Sequence, residues 1–371
     1  MNYKYEKYLN KKAILGCWVP HSLPKKNKYD FVISIPSYCE FDYLFKTLDT
    51  INNQGQALLD RTIVSVVVNN SSESNKNVIT DNHATYKRLI NSNYNFDFIV
   101  IDAYSKENAI DSKKAGVGIA RKISVDILLK YMNLETIICF LDADTQIPSN
   151  YLYQINKSQS DYNWKSAVVD FNHLDDETKT KESIYEYELF LKSTANELEK
   201  TGSPYCFVPL GCTMLCRLDG YIAAGGMNVR KAAEDFYFLQ ELQKNDNIHY
   251  IDNIQVRPSS RYINRSYLGT SKRMFDVLNN DLDINNLYFS KDKYQVLEKF
   301  LKIILQSQSI SAKLILSEVK KINDRLYIFL LDHKFESVWP SITSSKNQKQ
   351  FESQFHKWFD FLKTIKLLKF I

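Results

Sequence analysis

The chain has 371 residues, of which 44% are hydrophobic and 25% charged, and its formal net charge is +5. That length suits one large core with an appended part, and that composition excludes a disordered chain. The lysines are spread rather than massed, so charge does not demand a nucleic-acid partner, and the 24 tyrosines and 21 phenylalanines fall into no nucleic-acid motif. No stretch approaches the roughly eighteen apolar residues that a spanning helix needs, and the start of the chain has no signal pattern. The expectation is a cytoplasmic protein. Its six cysteines lack the paired spacing of a zinc site and read as reduced core thiols.

Residues 1–28 read as a lead-in segment that packs on the main domain. Phe31 to Pro36 is a strand, and Ser37-Tyr38-Cys39-Glu40 is the polar turn into a helix with Leu44, Leu48 and Ile51 at helical spacing. Strand, turn and helix make the first half of a βαβ unit. Thr62 to Val68 is a continuous β-branched run, a strand buried on both faces, which ends in Asn69-Asn70-Ser71-Ser72. Phe96 to Ile101 is a third strand. Gly116 and Gly118 then open a helix with Ile119, Ile123 and Ile127 on one stripe. Glycines at a helix start let a phosphate approach the backbone, and the nearby lysines and Arg121 add positive charge; a plain turn is the other account.

Ile137 to Leu141 is an apolar run that stops at Asp142-Ala143-Asp144. A buried strand ending in two acids delivers them to the edge where open α/β sheets bind ligands, although acids there also cap helices. Further strands are expected at 167–171, 209–217 and 250–256, the second with Gly211 placed for a close approach. A mobile loop is expected at 173–181. Glu234-Asp235 starts a helix, where dipole capping is the plain account of the pair. Arg257, Arg261 and Arg265 follow the last strand and read either as phosphate ligands or as solvated side chains. From about residue 280 the glycines give way to helical patterns. At the end, Trp358, Phe361, Leu362, Ile365 and Leu368 share one face with lysines mostly opposite. Such a helix either docks on its own domain or lies on an anionic membrane surface.

Taken in order, these motifs resemble family 2 glycosyltransferases of the GT-A fold over about residues 30–265. The residues that carry the resemblance are Ile35 to Glu40, Val67 to Ser72, the Gly116/Gly118/Arg121 stretch, Leu141 to Asp144, Gly211 before Arg217, Gly225 to Asn228, and Glu234 to Phe236. The resemblance implies an α/β fold with a mostly parallel twisted sheet, expected over residues 29–279, and the helical patterns after it are expected to form a C-terminal subdomain over 280–371. It also implies transfer of a sugar from a nucleotide-diphosphate sugar to a hydroxyl acceptor, as in assembling a bacterial-type surface glycan or glycolipid.

By position in the family's motifs, Asp144 would ligate Mg2+ or Mn2+, and Asp142 would contact the ribose or the metal. Pro36, Tyr38, Glu40 and Asn69 would form the nucleotide site, joined by Gly116, Gly118, Arg121 and Gly211. Asp235 would deprotonate the acceptor in an inverting reaction, with Glu234 holding the acceptor or the base. Two departures stand out. Asn69 sits where many members carry an aspartate, which leaves UDP, GDP and dTDP donors open. Arginines take the place of a late histidine ligand, so Arg257, Arg261 or Arg265 is expected on the diphosphate. The alternatives are a sugar-1-phosphate nucleotidyltransferase and a non-catalytic nucleotide-sugar-binding protein.

Overall fold

A computed structural model describes residues 3–175, 177–262, 269–280 and 282–371. The chain forms two compact units, one made of Met1–Ile184 and Pro209–Leu282, the other of Tyr185–Val208 and Asp283–Ile371.

The first unit is built on an eight-stranded sheet. Its strands are β1 (Tyr29–Ser37), β2 (Thr62–Asn69), β3 (Asp97–Ala103), β4 (Met132–Phe140), β5 (Thr145–Gln146), β6 (Ser166–Phe171), β7 (Met214–Arg217) and β8 (His249–Pro258). They lie in the order β3-β2-β1-β4-β7-β6-β8-β5. β1, β2, β3 and β4 are parallel, as are β6 and β8, while β7 and the two-residue β5 run antiparallel to their neighbours. This is the expected α/β class with a mostly parallel sheet.

Composition explains the sheet's interior. Every residue of β2 is buried, and its β-branched run fits a strand covered on both faces. Topology then fixes the site. The C-terminal ends of β1, β2, β3, β4, β6 and β8 all reach one edge, so the turns after them meet there although they are far apart in sequence. β7 is reversed, so its N-terminal approach reaches that edge, and the residues before it form a 3-10 turn at Gly211–Thr213. The strand expected over 209–217 is therefore only its last four residues. β5 was not legible in the pattern; it pairs Thr145 with Pro258 and Gln146 with Arg257, pinning the exit from Asp144 to the end of β8. The segment expected to be a mobile loop is partly tied to the sheet, with Asn172 and Leu174 donating to Val256 and Pro258.

The start of the chain packs on this unit. The helix Tyr3–Lys11 presents Tyr8, whose hydroxyl donates to Asp126 at 2.7 Å. Asp126, with no exposed surface, also accepts from the Ile14 amide and Tyr221 and pairs with Lys122 at 3.1 Å. Burial pushes the Asp126 carboxyl up, against Lys122 and these donors.

The second unit is helical. The amphipathic end of the chain is two helices, Gln348–Trp358 and Phe361–Phe370, separated by Asp360, whose side chain caps the second. Phe361, Leu367 and Leu368 are buried within this unit, and Tyr205 stacks on Phe361 with ring centroids 5.7 Å apart. Of the expected stripe, Phe361 and Leu368 are thus buried, while Trp358, Leu362 and Ile365 are half-buried. Among the described residues no helix is long and apolar enough to cross a membrane.

A candidate nucleotide-sugar site held by two buried arginines

A cleft of about 500 Å3 opens at the C-terminal sheet edge of the first unit, with Pro36, Tyr38 and Glu40 from the turn after β1 and Asn69, Asn70 and Ser71 from the turn after β2 on its wall. Asp142, Ala143 and Asp144 after β4 form its floor, and Ser112, Ala115, Gly116, Val117 and Lys231 close the far side. Buried hydrogen bonds set the shape. Asn82, fully buried, donates to the Asn69 carbonyl and to Asn70 Oδ1 and accepts from the Cys39 amide, locking the turns after β1 and β2 together. Thr47 Oγ1 donates to the Ala143 carbonyl at 2.8 Å, fixing the residue between the two acids.

Each of those acids is paired with one buried arginine, and each arginine bridges to a second acid. Arg121 is 1% exposed; its Nη2 lies 2.5 Å from Asp142 Oδ1 and its Nη1 2.5 Å from Glu234 Oε1. Arg261 is also buried; its Nη2 lies 2.6 and 2.7 Å from the two Glu40 oxygens and 2.6 Å from Asp144 Oδ2. Its guanidinium stacks on the Tyr43 ring, 4.1 Å from the centroid. The Ser259 amide donates to the Asp144 carbonyl at 3.1 Å, so the segment that carries Arg261 is bonded to the acid's own backbone.

The glycines serve this framework. A Cβ at Gly211 would run into the Arg121 guanidinium, and one at Gly118 would meet the Asn228 and Arg230 carbonyls. A Cβ at Gly116 would lie 2.9 Å from Lys231 Cα. Gly116 and Gly118 thus let the helix Val117–Asp126 press against the 228–234 segment. Of the pair only Gly116 also lines the cleft. Arg121, expected on the donor's phosphates, instead spends two of its nitrogens on Asp142 and Glu234.

The acid pair opens the helix Glu234–Asn245. Glu234 is buried and Asp235 half-buried, and Asn228 Nδ2 donates to the Glu234 carbonyl. Burial is the largest cause lifting both carboxyls above their ordinary range, with Arg121 opposing it in each. Capping does not account for Glu234, which turns inward to Arg121, whereas Asp235 Oδ1 accepts from the Phe236 amide in the first turn of the helix.

Pro36, Tyr38, Glu40, Asn69, Gly116, Asp142 and Asp144 therefore meet at the cleft, while Arg121, Gly118, Gly211, Glu234 and Arg261 build the support behind it. Arg265 lies outside the described residues. Sequence reading named the turn that holds Asn70 and Ser71 but gave a role only to Asn69, and it missed Asn82 and Lys231. A buried Asn82 inside an otherwise polar helix leaves no signal in hydrophobic periodicity, and Lys231 was one lysine among many.

The expected divalent ion was tested against these contacts. Asp144 Oδ2 is held by Arg261 and Asp142 Oδ1 by Arg121, and no group of three or more His, Cys, Asp or Glu able to hold a metal ion occurs among the described residues. The arrangement does not fit a resident ion, because a guanidinium already sits between Glu40 and Asp144.

No protein-family model and no curated protein matches the chain. Among solved structures it is similar to residues 1–349 of S. aureus TarS in complex with UDP-GlcNAc, at 13% identity and TM-score 0.43, with 88% of this chain and 91% of that one covered. It is also similar to the mannosyltransferase PcManGT from Pyrobaculum calidifontis in complex with GDP-Man and Mn2+, at 12% identity and TM-score 0.39, with 96% and 93% covered. Likenesses this distant carry no weight for the chemistry, which rests on the side chains above.

Proposed function

We propose that the chain is a glycosyltransferase of the family 2, GT-A kind, moving a sugar from a nucleotide-diphosphate sugar to a hydroxyl acceptor with inversion. The observation that carries the reading is the Arg121 bridge, which sets the floor acid Asp142 one guanidinium away from Glu234, the residue directly before Asp235. A donor bound over Asp142 would then present its anomeric carbon toward a carboxylate able to take the acceptor's proton.

In the reaction, the acceptor oxygen forms a bond to the anomeric carbon as the bond from that carbon to the diphosphate breaks. The breaking bond's electron pair goes to the diphosphate oxygen and the hydroxyl proton to Asp235. A hydroxyl is a weak nucleophile until a positioned base takes its proton. Burial raises the Asp235 carboxyl, which makes it a stronger base than a solvated aspartate. On the wall of the cleft, Asn69 Oδ1 is buried with no hydrogen-bond partner among the described residues, an acceptor suited to an N–H on the donor's base.

Asp235→Asn is the test. Transfer, followed as release of nucleoside diphosphate, is expected to fall by about 100- to 10,000-fold while nucleotide binding and the unfolding transition persist. Turnover within about tenfold of the parent enzyme would sink the assignment of the base. In the parent enzyme kcat is expected to climb with pH through a limb above the ordinary carboxylate range, since the raised acid must first lose its proton. The same raised carboxyls contribute stability that is fully present below the unfolded-state carboxylate pKa and declines as pH rises through their folded values.

A further inference from the structure

We propose that this site works without a divalent ion, Arg261 taking the place between Glu40 and Asp144 that a metal would occupy and Lys231 meeting the diphosphate. The inference rests on the nucleotide-sugar reading above and assigns the charge balance of the same cleft.

Three observations carry it. The first is the completeness of the Arg261 site. One Nη2 reaches three carboxylate oxygens at 2.6 to 2.7 Å, the ring of Tyr43 covers the guanidinium, and the side chain is only 8% exposed. An arginine cannot give up its proton, so this positive charge is permanent, and a second cation brought to Asp144 would be repelled by it at short range. The second is placement. Gln146 pairs with Arg257, Thr145 with Pro258, and the Ser259 amide donates to the Asp144 carbonyl. The acid and its arginine are therefore held together by backbone bonds, which a surface side chain drifting onto a carboxylate would not have.

The third observation concerns the cleft itself. Arg261 lies behind the acids, so another cation has to face the donor. Lys231 lines the cleft and makes no ion pair among the described residues. Its backbone packs against Gly116, directly before the first amides of the helix Val117–Asp126. An ammonium group and a helix N-terminus on one wall suit a diphosphate whose charge grows as the sugar leaves. Arg261 on this account is a positioning residue, holding Glu40 and Asp144 in place as hydrogen-bond acceptors for the nucleoside, and Lys231 is the catalytic cation.

The experiment is calorimetric titration of the full chain with UDP, GDP and dTDP, once in EDTA and once in Mn2+, alongside electron paramagnetic resonance of Mn2+ with the protein alone. The expected result is one nucleotide whose Kd is the same in both buffers within about threefold, and no bound Mn2+ signal. Arg261→Gln bares the two acids; its binding is expected to need Mn2+ and its spectrum to show a bound ion. Lys231→Met, on an exposed side chain, is expected to weaken binding about tenfold in EDTA and in Mn2+ alike. Binding by the parent protein only when Mn2+ is present, or a bound Mn2+ signal from the parent protein alone, would overturn this inference and leave the glycosyltransferase reading standing. Binding of no nucleotide in either buffer would overturn both.

Discussion

The two arginine bridges do the same electrostatic work at neighbouring acids, but they are supported differently. Arg121 rises from a helix packed against β1 and β2 and joins the floor of the cleft to the acid pair of another helix. Arg261 hangs three residues beyond the last residue of β8 and joins the floor to the turn after β1. The first bridge belongs to the core, whose geometry the fold cannot lose. The second is buried too, but it is fastened at the sheet edge beside the cleft, where water can reach the acids it would leave behind. Stability should therefore depend chiefly on Arg121, and the ligand properties of Asp144 chiefly on Arg261.

The largest expected effect breaks that comparison directly. Arg121→Ala leaves Asp142 and Glu234 without their counter-charge, and removing one member of a buried ion pair costs about 3–5 kcal/mol. Arg261→Ala, measured by the same urea titration, is expected to cost less than half of that. Equal losses would show that the two bridges are supported alike.

A smaller effect sharpens the first bridge. Gly211→Ala places a methyl group against the Arg121 guanidinium, and overpacking of this kind costs about 1–3 kcal/mol. In an Arg121→Ala background the same change should cost almost nothing, since the space it needs is then empty. That non-additivity, read from a double-mutant cycle of unfolding free energies, separates a steric role for Gly211 from a turn requirement, which would cost the same in both backgrounds.

How much of this was legible in sequence follows from what periodicity and motif can encode. The buried run of β2 and the strand ending at Asp142 announced themselves, because continuous β-branched stretches have few other uses. So did the meeting of Glu40, Asn69, Asp142 and Asp144, since strand ends of a parallel sheet share an edge. What stayed hidden was the direction of side chains. Arg121 reads as charge for a phosphate, and its ion pairs with Asp142 and Glu234 come into view only once the reversal of β7 brings Gly211 over it. Gly116 and Gly118 read as a phosphate cradle, yet their missing side chains make room for the 228–234 backbone. The docked final helices were open for the same reason: an apolar stripe specifies burial without naming the surface that buries it.

The smallest expected effect concerns a feature the two bridges share. Cys39 and Ala233 both have left-handed backbones, with φ of 57° and 58°, and each stands directly before the glutamate that its arginine holds, Glu40 or Glu234. Left-handed residues with a side chain store about 1–3 kcal/mol of strain, and such strain collects where a site must be aimed. Here the reversal turns the chain so that the following glutamate points inward to a buried guanidinium. Glycine removes the strain but loses about 0.5–1 kcal/mol to the freedom of the unfolded chain. Ala233→Gly is therefore expected to raise stability by roughly 0.5 kcal/mol, and Ala233→Val to lower it by about 1–2 kcal/mol because a β-branched residue tolerates this conformation worst. If glycine and valine at 233 shifted the urea midpoint in the same direction, the backbone at that position would not be the strained joint that aims Glu234. The Arg121 bridge would then have to hold the acid by side-chain contact alone.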